Sequence, residues 1–153
     1  MVWPVAWPNT LFFGIAEGKI RIGQTNNNKS NSLYAHESYV VSISASPNGA
    51  SICSGHLDGT IFTFNVDTKV KQKVVTHSSI PYALAWGVHI IAGGNDGKIA
   101  FYEEDGNCFQ RMDYSKDDKV KEFTQAAFNP TGETAIVGNF NRFYVYNYNS
   151  KRP

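Results

Sequence analysis

Cysteine, long apolar runs and an excess of either charge are all scarce in this chain of 153 residues. Two cysteines, Cys53 and Cys108, are too few for a disulfide scaffold or a four-ligand cysteine zinc site. No apolar run approaches the roughly 20 residues that cross a bilayer, and residues 1–4 lack the basic and apolar segments of a secretory signal. The net charge of +1 gives no electrostatic reason to expect nucleic acid or an anionic membrane as partner. We therefore expect a soluble protein of a reducing compartment.

The chain does contain enough apolar residues, 42%, to fold as roughly one domain, and its sequence repeats. Four segments have a similar pattern, and the glycines that open them are Gly14, Gly55, Gly93 and Gly138. These glycines lie 41, 38 and 45 residues apart, close to the roughly 40–45-residue period of a four-stranded propeller blade. Four occurrences in near-register indicate a structural repeat.

Each repeat has the same order of strand and turn signals. An apolar stretch comes first, a Pro-Asn-Gly or Pro-Thr-Gly turn follows, and a second short strand leads to the repeat glycine. Asp58-Gly59 and Asp96-Gly97 then predict tight hairpin turns into a third, alternating strand. The predicted first strands are 40–44, 82–86 and 124–128, the second 51–54, 90–92 and 135–137, the third 61–64, 99–102 and 143–146, and the weaker fourth 31–34, 70–75 and 108–113. Helical periodicity is absent, so an all-β fold is predicted.

Four strands per repeat predict a β-propeller, and the details resemble the WD40 repeat family. His36 and His77 lie near the position of the Gly-His pair that is typical of the family, although neither follows a glycine. Asp58 and Asp96 occupy the turn before the third strand. The Trp-Asp pair that closes this strand in the family is replaced by an aromatic and a polar residue at 64–65, 102–103 and 146–147.

The resemblance implies about four blades of four antiparallel strands, with blades at 1–35, 36–76, 77–114 and 115–153. The last blade is expected to lack its outer strand. Because WD40 propellers usually close with about seven blades, the four blades are interpreted as an incomplete arc of a larger propeller and the chain as a fragment of a longer one. A half-propeller that another chain completes is the alternative.

Several strings resemble a narrower family, the large subunits of intraflagellar transport complex B that join WD40 propellers to a helical-repeat array. The strings are 14–22, 37–43, 54–61, 81–86 and 109–123. The resemblance implies a non-enzymatic scaffold for cilium assembly and anterograde ciliary transport, without catalytic, cofactor or metal residues. It implies other complex B subunits and the rest of the chain's own propeller as partners, with no nucleic acid, no small-molecule substrate and no indicated membrane contact. The implied location is the cilium or flagellum, at the axoneme and basal body, and the cytoplasm.

Other functions are compatible with a propeller fold, because fold alone does not determine function. One is a WD40 propeller of another trafficking or coat complex, or of a ubiquitin-ligase adaptor. Another is a propeller hydrolase or lyase with metal-bound residues at its axis, which bound metal in the purified domain would reveal.

His36, Ser54 and Asp58 have the residue types of a catalytic triad, but we interpret them as a structural hydrogen-bond network. WD40-like blades often tie the histidine before the first strand to the turn aspartate through a serine or threonine. His77 and Asp96 repeat the pair in the next blade, which favours the structural role. No strained Gly-x-Ser-x-Gly turn presents a nucleophile.

The remaining candidate sites are weaker. Residues 93–98 carry glycines and a lysine like a phosphate loop, but a strand follows instead of a helix, so a hairpin turn is predicted. The four histidines have no short metal-ligand spacing, and Cys53 is expected to be a small buried hydrophobe. The polar loops 26–31 and 115–122 are candidates for partner contact, with a solvated loop as the alternative for each. A polar contact at 115–122 would affect specificity and association rate more than affinity.

Overall fold

The computed structural model describes residues 1–4, 7–118, 122–140 and 142–148, and these residues form an all-β fold. Their regular structure consists of fourteen strands and one short 3-10 helix, Ala16–Gly18. The strands are β1 (Thr10–Gly14), β2 (Lys19–Gln24), β3 (Lys29–Ala35), β4 (Val40–Ala45), β5 (Ser51–His56), β6 (Thr60–Asn65), β7 (Lys71–Thr76), β8 (Ala83–Trp86), β9 (Ile90–Gly93), β10 (Lys98–Tyr102), β11 (Cys108–Asp113), β12 (Gln125–Phe128), β13 (Thr134–Gly138) and β14 (Phe143–Asn147). No helix in the described part of the chain is long and apolar enough to span a bilayer.

Consecutive strands pair as antiparallel meanders, which gives four sheets. The sheets are β1–β3, β4–β7, β8–β11 and β12–β14. Among the described residues the first sheet therefore has three strands instead of the predicted four, and the last sheet also has three. Val2 adds an antiparallel bridge to Phe12 on the free side of β1, in the position of a missing inner strand. Every strand predicted from the sequence occurs, with ends shifted by a few residues.

The sheets follow one another as an arc. β4 contacts β8 and β8 contacts β12, so the strands nearest the axis lie side by side, and β1 contacts β4. Within the described residues, β1 and β12 form no comparable contact, so the arc is open. The predicted β-propeller fold and its incomplete ring are both confirmed.

Three apolar clusters hold successive sheets together. The residues of each alternate along their strands, because side chains one position apart point to opposite faces of a sheet. The cluster between the first and second sheets contains Phe12, Ile20, Tyr34, Ile52, Phe62, Phe64 and Val66. The cluster between the second and third contains Cys53, Ile61, Val74, Leu84, Trp86, Ile90, Ala92, Ala100 and Tyr102. The cluster between the third and fourth contains Ala83, Ala85, Ile91, Ile99, Phe101, Phe123, Ala135 and Val137.

The hairpin turns form where the sequence predicts them. Gly59 and Gly97 have φ of 90° and 70°, which side-chain-bearing residues adopt only with strain. The aspartate before each glycine closes its turn, because Asp58 Oδ1 accepts a hydrogen bond from the Thr60 amide at 3.0 Å and Asp96 Oδ1 accepts one from the Lys98 amide at 3.1 Å. Residues 93–98 are therefore a hairpin turn, as predicted.

The repeat glycines have a second role, which is close packing between blades. A Cβ atom on Gly14 would lie 2.4 Å from the Val40 side chain, and one on Gly55 would lie 2.8 Å from Pro81. On Gly93 it would lie 3.1 Å from Phe123 Cβ. In each case the neighbour belongs to the start of the next blade, so the missing side chain lets that segment approach the sheet backbone.

Candidate functional site

The first histidine–aspartate pair holds the segment between β3 and β4 against the turn between β5 and β6. His36 Nε2 lies 2.6 Å from Asp58 Oδ2, and the Asp58 amide donates a hydrogen bond to Ser38 Oγ at 2.9 Å. Partial burial opposes ionisation of Asp58, but hydrogen bonds from Thr60 and His36 outweigh it and lower the pKa of Asp58 to about 2. Asp58 is therefore a carboxylate at neutral pH and a fixed acceptor for the His36 ring.

Ser54 takes no part in that pair, contrary to the predicted link through a serine. Its hydroxyl lies 2.9 Å from His56 Nε2 and accepts a hydrogen bond from the Tyr34 hydroxyl at 2.7 Å. His56 Nδ1 donates to the Ser38 carbonyl at 2.9 Å, and burial lowers the pKa of His56, so its ring is neutral and Nε2 accepts from Ser54. Ser54 and His56 are two residues apart on β5, hence on one face of the strand. The histidine that is hydrogen-bonded to Ser54 is therefore His56, and not His36 as predicted.

The second predicted pair, His77 with Asp96, does not form a hydrogen bond, unlike the first pair. His77 Nδ1 lies 2.6 Å from the Tyr102 hydroxyl. Asp96 instead accepts hydrogen bonds from the hydroxyls of Ser78, at 2.8 Å, and Ser79, at 3.1 Å. Burial opposes ionisation of Asp96, but the hydrogen bonds from Ser78 and its neighbours lower its pKa. The histidine and the aspartate therefore occupy different networks.

One residue explains why the two inter-blade networks differ. Gly94 occupies the repeat position that His56 fills in the preceding blade. A Cβ on Gly94 would lie 2.1 Å from the Ile80 carbonyl oxygen and 2.4 Å from Ser79 Oγ. The linker before β8 thus occupies the space that a side chain at position 94 would fill, and this brings Ser79 into contact with Asp96.

The described residues contain no group of three histidine, cysteine, aspartate or glutamate side chains placed to hold a metal ion. His36 and His56 do come together, with ring centroids 4.9 Å apart, but both are engaged in the networks above. Cys53 is fully buried, as predicted, and burial raises the pKa of its thiol to about 12. Its sulfur is therefore protonated and shielded, which is the state of an inert core residue.

The two candidate contact loops have different structures. In the segment 26–31 only residues 26–28 lie in the turn, because strand β3 already begins at Lys29, whose amide donates to Asn27 Oδ1 at 3.0 Å. In the segment 115–122, residues 119–121 lie outside the described residues. Asp117 Oδ2 accepts a hydrogen bond from Arg142 at 2.6 Å, so this loop is joined to the turn before β14.

The last sheet carries an apolar surface whose residues were not singled out from the sequence. We call it the open face; it consists of Ala127, Ile136, Phe143 and Val145, which are exposed. Phe143 is 70% exposed, whereas Ile99, at the matching place beside the repeat glycine in the third sheet, is fully buried. Gly138 differs from the other repeat glycines in the same way, because only residues of its own hairpin lie near its Cβ position. The sequence does indicate this surface, because apolar residues occupy both alternating sets of positions along β13 and β14.

Comparison with known proteins agrees with this architecture. Residues 27–65 match the model of the WD domain, G-beta repeat. The chain is 46% identical to intraflagellar transport protein 172 of Chlamydomonas reinhardtii over 99% of its length, and 41% identical to the Homo sapiens homologue over 98%. It spans 9% of the length of each relative.

A solved structure shows the same fold at much lower identity. A chain in the crystal structure of the mitotic checkpoint complex superposes with a TM-score of 0.72 at 16% identity, over 90% of this chain and 44% of that one. That likeness supports the propeller fold alone. The chain thus has the fold of an incomplete β-propeller, its residues 27–65 match a WD40 repeat, and over nearly all of its length it is similar to intraflagellar transport protein 172.

Proposed function

We propose that the chain is a non-enzymatic protein-interaction scaffold of intraflagellar transport complex B, needed for cilium assembly and anterograde ciliary transport. The observation that carries the proposal is the similarity to intraflagellar transport protein 172 along nearly the whole chain. The proposed location follows from the same relatives and is the cilium or flagellum, including axoneme and basal body, together with the cytoplasm.

The absence of catalysis is part of the proposal, and the side-chain networks support it. Ser54 is fully buried between Tyr34 and His56, where a substrate could not reach its hydroxyl. His36 and Asp58 bind each other where the first sheet leads into the second. These groups stabilise the contact between neighbouring sheets, since buried polar groups need hydrogen-bond partners.

We also propose that the four sheets are the blades 1–35, 36–76, 77–114 and 115–153, and that the open face contacts the rest of the same propeller. The corresponding face of the third sheet, which includes Ile91 and Ile99, is covered by the fourth sheet. A following blade would place its first residues against Gly138, as Phe123 is placed against Gly93. Other complex B subunits are the proposed partners of the remaining surface.

A segment exchange in Chlamydomonas tests the transport function. The chain replaces the matching segment of intraflagellar transport protein 172 in a strain that lacks the native protein. As a control with the same fold but a different sequence, the same segment is replaced by the matching part of the propeller from the mitotic checkpoint complex. We expect flagella and co-purification with complex B from the first chimera and not from the second.

Two results would contradict the proposal. One is a chimera with this chain that accumulates normally but neither restores flagella nor co-purifies with complex B. The other is equal rescue by both chimeras, which would mean that the fold alone is sufficient. Within the first chimera, Phe143→Lys on the open face should lower the amount of folded protein. Tyr39→Lys, at a similarly exposed ring outside this face, is the matched control.

A further inference from the structure

The first sheet has one face that points away from the second sheet, and we call it the leading face. Its residues oppose one another across the three strands and are Leu11, Phe13, Arg21, Ser30 and Ser32. The half nearer β1 is apolar, and a Cβ atom on Gly23 would lie 3.3 Å from the Phe13 ring. The half nearer β3 is polar, because Arg21 lies there beside two exposed serines.

The polar half is where the first sheet departs from the repeat. Pairing with the repeat glycines identifies two sets of equivalent positions in the four sheets, which are Arg21, Phe62, Ala100 and Tyr144, and then Gly23, Phe64, Tyr102 and Tyr146. In the second, third and fourth sheets these residues pack in the apolar cluster with the preceding sheet. The first sheet therefore has a guanidinium group and a glycine where its counterparts have apolar, mostly aromatic side chains.

Arg21 is held on strand β3 by three hydrogen bonds. Its Nη1 donates to Ser32 Oγ at 2.9 Å, and its Nη2 donates to Ser30 Oγ at 2.9 Å and to the Ser30 carbonyl at 3.2 Å. All three acceptors are neutral, and among the described residues Arg21 forms no ion pair. A guanidinium has five N–H groups, and a hydroxyl that accepts can still donate its own proton. The three side chains can therefore hold a further acceptor together.

The second sheet shows where such an acceptor lies. Its Lys71 is equivalent to Ser30, because Lys71 pairs with Phe64 as Ser30 pairs with Gly23. Lys71 Nζ donates to the Ala35 carbonyl at 3.1 Å, at the end of the outer strand of the preceding sheet. A cation at this edge of a sheet can thus reach the outer strand of the sheet before it.

We infer that a further blade of the same propeller covers the leading face and that its outer strand carries an aspartate or glutamate that binds Arg21. Covering the face removes the guanidinium from water, and a buried charge is tolerated when it is paired and hydrogen-bonded. A carboxylate supplies the opposite charge and accepts hydrogen bonds from the planar N–H groups and from both serine hydroxyls. The inference rests on the proposed larger propeller and adds the chemistry of the neighbouring blade.

A second copy of this chain does not supply the required group. Its open face consists of Ala127, Ile136, Phe143 and Val145, whose side chains have no hydrogen-bonding atoms. Stacked on the leading face, this surface would bury the charge of Arg21 without an anion, which is strongly destabilising. The leading face therefore disfavours a ring built from identical chains and favours a neighbour with a carboxylate.

Zero-length crosslinking tests the inference in the Chlamydomonas chimera that carries this chain. Arg21→Lys keeps the positive charge and provides an amine, which a carbodiimide couples to a carboxylate in direct contact with it. Mass spectrometry then identifies the coupled residue. We expect a crosslink from position 21 to an aspartate or glutamate outside the exchanged segment but in the same polypeptide. Its yield should not change on dilution, because both groups belong to one molecule.

Two controls accompany this experiment. The chimera with the native Arg21 should give no crosslink there, since carbodiimides do not couple a guanidinium. Lys73, an exposed lysine at the position of the second sheet that is equivalent to Ser32, should not couple to the same carboxylate. If the Arg21→Lys chimera does not accumulate, Ser32→Lys places the amine at an exposed neighbouring position and keeps Arg21.

The inference is overturned if neither position 21 nor position 32 gives a crosslink. It is also overturned if the crosslinks join only carboxylates of this segment, another protein or a second copy of the chimera. Flagellar rescue is a separate measurement. A chimera that restores flagella without the crosslink contradicts the inference alone, and one that forms the crosslink without restoring flagella contradicts the proposed function alone.

Discussion

Mild acid should destabilise this fold through His77, whose imidazole is buried between the second and third blades. The residue is 4% exposed, and its Nδ1 lies 2.6 Å from the Tyr102 hydroxyl. Burial lowers the pKa of His77 to about 4; the nearby Arg111 adds to this effect and Asp96 opposes it. The folded chain therefore takes up the proton of His77 only at a pH well below the ordinary value for histidine.

The sign and size of the effect follow from the two pKa values. In the unfolded chain the pKa of His77 is about 6.5, so between pH 6.5 and 4 the unfolded state binds a proton that the folded state does not. The stabilisation is complete above pH 6.5 and is lost as the pH falls. The loss amounts to about 2 kcal/mol at pH 5 and about 3 kcal/mol at pH 4 relative to pH 7.5.

Urea unfolding at pH 7.5 and pH 5 measures this loss, with His77→Gln as the comparison. Glutamine keeps a hydrogen-bonding group near Tyr102 but does not titrate. Both proteins carry Phe143→Lys to limit self-association through the open face. The pKa values of Asp58 and Asp96 are lowered, so these carboxylates stay ionised at pH 5 and do not add to the difference.

The parent should lose about 2 kcal/mol more than the variant between the two pH values. Burial also lowers the pKa of His56, so a pH dependence of stability that is common to both proteins remains. An NMR titration of the His77 ring protons reads its pKa directly. An equal loss of unfolding free energy in the two proteins between pH 7.5 and pH 5, or a His77 pKa near 6.5, would refute the reasoning.

Three further outcomes are expected. Phe143→Lys should shift the chain towards monomer in sedimentation experiments, because Phe143 is the most exposed ring of the open face; an equal shift with Tyr39→Lys would contradict a specific role for that face. Gly94→Ala should lower the free energy of unfolding by about 1–3 kcal/mol, since its Cβ would lie 2.1 Å from a carbonyl oxygen, and unchanged denaturation would disprove that close approach. A thiol reagent followed by mass spectrometry should label Cys108 and spare Cys53 in the folded chain, because Cys53 is fully buried with a raised pKa; equally rapid labelling of both would mean that this blade interface opens.

The strand order and the turns could be predicted because their signals are local. A turn with φ near 90° at Gly59 depends on that glycine and on the aspartate before it, and both are visible in the sequence. The same weak signal then occurs four times along the chain, which makes the repeat recognisable. Strand ends were less accurate, as at Lys29, because pairing with the neighbouring strand extends a strand beyond its apolar residues.

The hydrogen-bond networks could not be predicted, because they depend on the backbone separation between blades. The sequence shows His77 and Asp96 at repeat positions, but it does not show that the linker passes over Gly94 and brings Ser79 to the aspartate.

The glycines that open each repeat also have a consequence for the curvature of the arc. At Gly14, Gly55 and Gly93 side chains of the next blade pack directly on main-chain atoms, so only one of the two contacting surfaces can change with side-chain rotamers. A ring of blades closes only when every unit is rotated by nearly the same angle from the one before. This close contact at a glycine occurs once per blade. It keeps that rotation uniform while the aromatic and aliphatic residues around it are free to differ.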